Sequence, residues 1–342
     1  MTLELNSISP MHNNSRSSRS VRFLAAAAGA LLLFLAVAPD TVAQTPTMVV
    51  VRAMPFKVKR GENFDPLPPL TPADVAQIKI GGKVAPVVHF DPLLKGPHTL
   101  QLMILLDSMQ MLGSQGQFVD IESFLNSLPS NVEIGLGWLL QSQVKVVQDF
   151  TTDRQLVYKK LIPQTEKEAA DPLNDNGNPF SCLGWLSTHW PNPDPAKLRA
   201  VLMFTDGITR NNSIPQNGEE FNPDASTAAL RLETASIQPF PFFWVDPIPA
   251  SPRNEGGALE GQDLFSQMVT NAGGSALYEG MFAPGSFTPL LNKMYSILES
   301  ESVITVNAPQ KPGKFEHLDI KVARSDIKAF APDSVTTGNP VK

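Results

Sequence analysis

Between residues 99 and 298, short and almost wholly apolar runs alternate with segments whose apolar positions recur every three or four residues. The runs "TLQLMILLD" (99–107), "VEIGLGWLL" (132–140), "RAVLMFTDG" (199–207) and "FPFFWVD" (240–246) read as strands apolar on both faces. Such strands belong in a parallel sheet covered on both sides. "QVKVVQDF" (143–150) adds a strand joined tightly to the one before it, and "SALYEG" (275–280) a short one. The spacing predicts a helix over 117–128 with Phe118, Ile121, Leu125 and Leu128 on one face, and another over 287–299 with Leu290, Leu291, Met294 and Leu298 inward. "DRQLVYKKL" (153–161) reads as a helix capped by Thr151 or Thr152, with Leu156 and Leu161 among its apolar positions. "ASTAALRLETAS" (225–236) and "DLFSQMVTNAGG" (263–274) complete the helical set, the second ending in glycines suited to a left-handed cap. "FSCLGWLSTHW" (180–190) is a short apolar segment after a Pro/Asn/Gly-rich loop running from 163 to 179.

Outside this region the pattern changes to alternation. "TMVVVRAMPFKVKR" (47–60) and "VAQIKIGGKVAPVVHF" (75–90) read as strands, the latter folded at Gly81-Gly82, with the rigid spacer "DPLPPLTPAD" between them. The tail returns to strands in "SVITVNAPQ" and "FEHLDIKVARSDIKAFAP". Each end is too thin to fold alone, so the two are expected to pack together. The division expected is 1–43 export signal, 44–98 β segment, 99–298 α/β domain and 299–342 β segment. The fold class expected is α/β, a doubly wound and mostly parallel sheet flanked by a small β subdomain.

The first 43 residues place Arg16, Arg19 and Arg22 before the apolar run 23–38 and small residues before Gln44. This is the pattern of a signal peptide, and the run is short for a spanning helix, which needs about 20 residues. The chain is therefore expected to be exported, periplasmic or secreted, touching a membrane only through this segment if it stays uncleaved. A single cysteine, Cys182, excludes a disulfide framework and leaves stability to the core. The net charge of −6, without a basic stripe, excludes nucleic acid as a partner class.

The runs "LMILLD" (102–107), "SFLNSLPSNVEIGLGWL" (123–139), "VVQDFTTDRQLVYKKL" (146–161), "RAVLMFTDG" (199–207) and "AGGSALYEG" (272–280), in this order, resemble a von Willebrand factor type A domain. More narrowly they resemble the exported bacterial VWFA-related proteins of the acidobacterial type. "PLTPADVAQIKIGGKVAPVVHF" before the domain and "GKFEHLDIKVAR" after it resemble that group's leader and closing strands, so the likeness spans most of 70–330. The Arg-Xaa-Gly-Tyr ending often seen there is replaced by "AFAPDSV".

The resemblance implies a metal-ion-dependent adhesion site: Asp-Xaa-Ser-Xaa-Ser after the first strand, a later threonine, and an aspartate after the fourth strand. Asp107 takes the first position and Asp206 the last, but the serine positions hold Met109 and Met111. Sliding by one residue brings Ser108 and Gln110 to the hydroxyl positions and Leu106 to the aspartate. Ser181 is the nearest hydroxyl to the threonine position. Mg²⁺ or Mn²⁺ wants about six oxygens, and thioethers are poor substitutes. The metal set Asp107, Ser108, Ser181 and Asp206 is thus read as degenerate, binding weakly or not at all. The alternative role for the aspartates is to cap helices or bond nearby hydroxyls.

"DPLNDNGNP" (171–179) lacks a calcium loop's spacing, because Pro172 stands where the first ligand should be. A phosphatase of the haloacid-dehalogenase type needs a second acid where Met109 stands, so a hydrolase ranks last. No nucleophile elbow, P-loop, dinucleotide fingerprint or His-Glu-Xaa-Xaa-His is present, and His89, His98, His189 and His317 are scattered. The expectation is a non-catalytic protein that binds an unknown protein or cell-surface partner, or alternatively a metal-independent structural or assembly module. The contact surface expected is the sheet's carboxyl edge, formed by Asp107, the 163–195 loop, Asp206 and the loop after Asp246. Trp185 and Trp190 beside it are either anchors or core filling.

Overall fold

The computed structural model describes residues 44–57, 65–107, 111, 115–140, 142–162, 178–205, 207, 223–244, 252–280 and 284–338. In chain order the strands are β1 (Thr45–Pro55), β2 (Val75–Ile80), β3 (Lys83–Val84), β4 (Val87–Pro92), β5 (Leu100–Leu106), β6 (Val132–Leu140) and β7 (Gln143–Thr151). They continue with β8 (Leu198–Thr205), β9 (Ile237–Trp244), β10 (Tyr278–Gly280), β11 (Glu301–Ala308), β12 (Phe315–Val322), β13 (Ile327–Phe330) and β14 (Ser334–Thr336). The α-helices are α1 (Phe118–Ser127), α2 (Arg154–Tyr158), α3 (Pro179–Thr188), α4 (Pro223–Thr234), α5 (Pro252–Asn271) and α6 (Thr288–Ser300).

The chain is α/β with mixed sheets. The six-stranded central sheet runs β10-β9-β8-β5-β6-β7. Its pairings are parallel from β10 through β6, and β7 joins β6 antiparallel. The two remaining sheets, β13-β1-β11-β4 and β14-β12-β2-β3, are antiparallel throughout, so the mostly parallel sheet expected from the sequence describes only the central one. The reason is connectivity: β2 and β3 are joined by a two-residue turn, which only antiparallel neighbours allow. Gly81 and Gly82 make that turn at φ +56° and +75°, the left-handed region that a tight hairpin demands.

Every residue of β5 is buried, because helices cover both faces of the central sheet. Leu102, Ile104 and Leu106 share a core with Phe118, Ile121 and Leu125 of α1 and Leu291, Met294 and Leu298 of α6. Met103 and Leu105 point the other way, into a core with Phe180 and Leu183 of α3, Leu232 of α4 and Phe265 of α5. The period-two alternation of a strand sorts its residues between these cores. A third core joins the two ends of the chain, with Val49, Val51, Ile78 and Ile80 against Ile304, Val306, Leu318 and Ile327. By contacts, Ala43–Lys342 is one compact unit.

Several local expectations are corrected. Asp153, rather than Thr151 or Thr152, caps α2: its carboxylate accepts from the Gln155 N–H at 2.9 Å, while the Thr151 hydroxyl accepts from Asp153 N–H. A carboxylate two residues closer to the first turn reaches the orphan N–H groups that a threonine at 151 cannot. Leu156 is exposed, and Val157 and Leu161 carry the buried face of that segment. The apolar segment after the 163–179 loop is the helix α3, entered at Asn178, whose side chain accepts from Ser181 N–H at 3.1 Å. Pro179 sits at the first helical position, where its missing N–H costs nothing. The stretch "DPLNDNG" (171–177), which lacks a calcium loop's spacing, lies outside the described residues.

Candidate functional site

The strand ends at the carboxyl edge of the central sheet hold the first of the four candidate ligands. β5 and β8 are parallel with Leu106 level with Phe204, so the next residues along, Asp107 and Thr205, are level as well. Asp107 N–H donates to Phe204 C=O at 3.0 Å, prolonging the ladder by one bond. Level residues of parallel strands point to the same face. The Thr205 hydroxyl donates to Asp107 Oδ2 at 3.4 Å and accepts from Gly207 N–H at 3.2 Å. Asp107 is 8% exposed and Thr205 fully buried.

Thr205 is the partner that sequence reasoning missed. Strand register, which decides that Thr205 stands level with Asp107, is not visible in the sequence. Ser108 and Asp206 lie outside the described residues, as does the loop following β9. Ser181 is in the first turn of α3, its backbone engaged by the Asn178 cap. Its neighbour Cys182 feels the Asp107 charge.

Cys182 is fully buried, and its thiol lies 3.0 Å from Gln143 C=O. Burial foremost pushes its pKa up to about 12; a backbone contact at Leu140 opposes the shift and the Asp107 charge adds to it. Burial of this kind keeps the thiol protonated near neutral pH, as for a thiol packed as a small apolar group.

The described oxygen donors at this edge are few, and Ser108 and Asp206, two of the four candidate ligands, lie outside the described residues. Asp107 and Thr205 supply oxygens from two side chains, where Mg²⁺ wants about six oxygen ligands and Ca²⁺ more. Met111, at the second serine position of the motif, is 2% exposed and packs into the core with Phe118 and Leu106. A side chain committed to that core cannot turn to an ion at the strand end. Among the described residues, no three His, Cys, Asp or Glu side chains converge in a way that could hold a metal.

Asp120, in the first turn of α1, is a second functional-looking acid that the sequence did not reveal. It accepts from Ser286 Oγ at 2.7 Å, Thr288 Oγ1 at 2.8 Å and Phe287 N–H at 2.7 Å, closing the amino end of α6 from another helix. Burial acts to raise its pKa, but the hydroxyl and backbone bonds outweigh it and hold the carboxyl below its ordinary range. Its role is that of a tertiary cap, invisible in sequence because the partners lie 166–168 residues away.

Trp190 is core. Its indole N–H donates to Gln101 Oε1 at 2.8 Å, its ring stacks on Phe150 with centroids 5.2 Å apart, and it is 3% exposed. Trp185 is half-buried and lies parallel to the exposed His189, one helical turn on, with centroids 4.3 Å apart and planes within 1°.

No protein-family model matches the chain, and no curated protein matches it. Solved structures similar to it include the conserved hypothetical protein BatB from Bacteroides thetaiotaomicron, at 15% identity and a TM-score of 0.39, covering 59% of this chain and 100% of that one. The pilus adhesin SpaC from Lactobacillus rhamnosus GG is similar at 9% identity and a TM-score of 0.44, over 76% of this chain and 47% of that one. The SpRpn10 VWA domain is similar at 12% identity and a TM-score of 0.35, over 57% and 95%. Likeness this remote carries no weight for function. Among the described residues, no helix is long and apolar enough to cross a membrane.

Proposed function

We propose that the chain is an exported, non-catalytic binding protein whose von Willebrand type A-like domain engages another protein at the carboxyl edge of its central sheet, with a degenerate metal site. The observation that carries this reading is the bond from Thr205 to Asp107. The one described carboxylate at the expected metal position accepts a hydroxyl of its own fold. The parallel strands β10 through β6 bring their carboxyl ends to one edge, the place where open α/β sheets present binding loops. The signal-like amino terminus supports export. The absence of an acid–base pair or nucleophile among the motifs supports a binding role over a hydrolytic one.

Affinity capture from the native surface fraction, with and without EDTA, tests the reading. The same partner band is expected in both, and it should be lost in Asp206→Arg. Capture that vanishes with EDTA and returns with Mg²⁺ would overturn the degenerate site. Capture that persists in Asp206→Arg would move the contact away from this edge and favour a structural or assembly module. Turnover of p-nitrophenyl phosphate that is lost in Asp107→Asn would make the protein a hydrolase instead.

A further inference from the structure

Beside α3 lies a surface groove bounded by the turn between β6 and β7 on one side and by α4 on the other. Its floor is apolar, made by Phe180, Gly184 and Ala228, all buried. Gly184 sets its depth: a Cβ there would meet Arg231 at 3.4 Å and Ala228 Cα at 3.9 Å, so the two helices approach closely and leave a trough above the contact. The rims carry the exposed hydroxyls Ser142, Thr188 and Thr227. At its end stand the parallel Trp185–His189 pair and the exposed Arg231.

The charge of the groove runs against that of the protein. The chain carries a net −6, yet among the described residues that line this surface there is no carboxylate, and the one permanent charge among them is the Arg231 guanidinium. Arg231 spends one N–H on Gly184 C=O at 3.3 Å. A guanidinium has five N–H donors, and its planar fork matches a carboxylate. His189 Nδ1 lies 2.9 Å from Trp185 C=O and 3.0 Å from the Thr188 hydroxyl, contacts that hold the ring against the helix. The stack fixes both rings in one plane direction at one end of the trough.

We propose that this groove binds an acidic saccharide, with a uronate carboxylate on Arg231, sugar hydroxyls on Ser142, Thr188 and Thr227, and a pyranose against the Trp185–His189 pair. Hydroxyl-bearing side chains exchange hydrogen bonds with sugar hydroxyls as both donors and acceptors. The flat, weakly polar C–H face of a pyranose suits an aromatic ring. A peptide would present its own main-chain donors and acceptors, and most of the groove's lining belongs to α3 and α4, whose backbone groups bond within the helix. Pockets that bind small ligands pair an apolar floor with a few convergent polar groups, which is the composition here. The groove shares part of the 163–195 segment with the carboxyl-edge surface of the previous section, but the saccharide assignment rests on the groove's own lining.

Calorimetric titration of the purified protein with hexagalacturonate, maltohexaose and hexaglutamate tests the assignment. Hexagalacturonate is expected to bind, and maltohexaose to bind about tenfold more weakly, the scale of one charge-assisted contact. Arg231→Gln should lose about tenfold, and Trp185→Leu a similar factor. Thr227→Glu, at an exposed helix position that tolerates the change, should abolish binding by placing a carboxylate in the trough while leaving the melting temperature unchanged. If Trp185→Leu does not fold, Thr227→Glu and Arg231→Gln decide the matter. No heat with hexagalacturonate up to about 5 mM would overturn the proposal. So would equal binding of hexaglutamate, or affinity unchanged in both Arg231→Gln and Thr227→Glu. None of these outcomes bears on partner capture at the sheet edge.

Discussion

Arg52 and Glu301 face each other across β1 and β11, with Nη1 3.0 Å from Oε1 and both residues buried. Arg52 also donates to Gly274 C=O at 2.7 Å and lies over the Phe330 ring at 4.3 Å. Gln238 of β9 donates to the same Glu301 oxygen at 3.2 Å. One ion pair thus ties the first strand, a C-terminal strand, the turn after α5 and the central sheet together. Burial lowers the Arg52 pKa, against the pull of Glu301.

Removing one partner leaves the other charge buried. Arg52→Met is expected to cost about 3–5 kcal/mol in urea unfolding, whereas Arg52→Met with Glu301→Met together should cost clearly less. A double variant as unstable as the single would show that the pair matters through packing rather than charge.

The same pair gives the stability a pH dependence. Burial foremost raises Glu301 from 4.5 to about 6, with Arg52 and Gln238 opposing. Burial and the Asp333 charge raise Glu233 from 4.5 to about 7. A carboxyl whose folded pKa exceeds its unfolded one holds its proton more tightly when folded. The stability it contributes is fully present below pH 4.5 and is lost as pH rises through about 6 and about 7. Asp120 has the opposite sign, since its lowered pKa contributes stability above 3.8 that is lost as pH falls. Unfolding free energy measured from pH 4.5 to 8 should therefore decline. The decline should shrink in Glu233→Gln, and an unchanged slope in that variant would remove Glu233 from the account.

Thr205→Val keeps the shape of the side chain and deletes a donor to a buried carboxylate. The expected loss is about 1–3 kcal/mol of stability. Calorimetry of the variant with Mg²⁺ should still show no tight binding. Tight binding in Thr205→Val would mean that the hydroxyl, rather than a shortage of ligands, keeps a cation out.

Cys182 should resist alkylation. With its thiol at about 12 and no exposure, iodoacetamide at pH 8 should label it only on unfolding, at the rate of global opening. Rapid labelling of the native protein would place the thiol at an accessible surface.

Much of the scaffold was legible because its signals are local. The apolar run 100–106, the period of Phe118, Ile121 and Leu125, and Gly81-Gly82 each act within a few residues, and each appears as the element it suggested. The helix α3 was only half legible. Its apolar positions lie all around the helix, because it is buried nearly throughout, and the one-sided stripe that marks a surface helix is missing. At the candidate site, Asp107 was found by its place after a strand, but its partner was not. A hydrogen bond between Asp107 and Thr205 spans 98 residues of sequence and depends on which strands are neighbours and at what register.

By itself, then, the sequence determined the alternation of strands and helices and where Asp107 and Asp206 fall along the chain. It also puts Met109 and Met111 where the resemblance implies serine ligands. Hydrophobic periodicity and residue identity are properties of short stretches and survive without a fold. The tertiary structure alone decided that Thr205 answers Asp107, that Asp120 caps a helix across the molecule, and that Arg52 and Glu301 close the two ends of the chain on one core. It also separated Trp190, buried in the core beside α3, from Trp185, which lines a groove. Each of these depends on distances between residues far apart in sequence, and such distances exist only once the strands have chosen their neighbours.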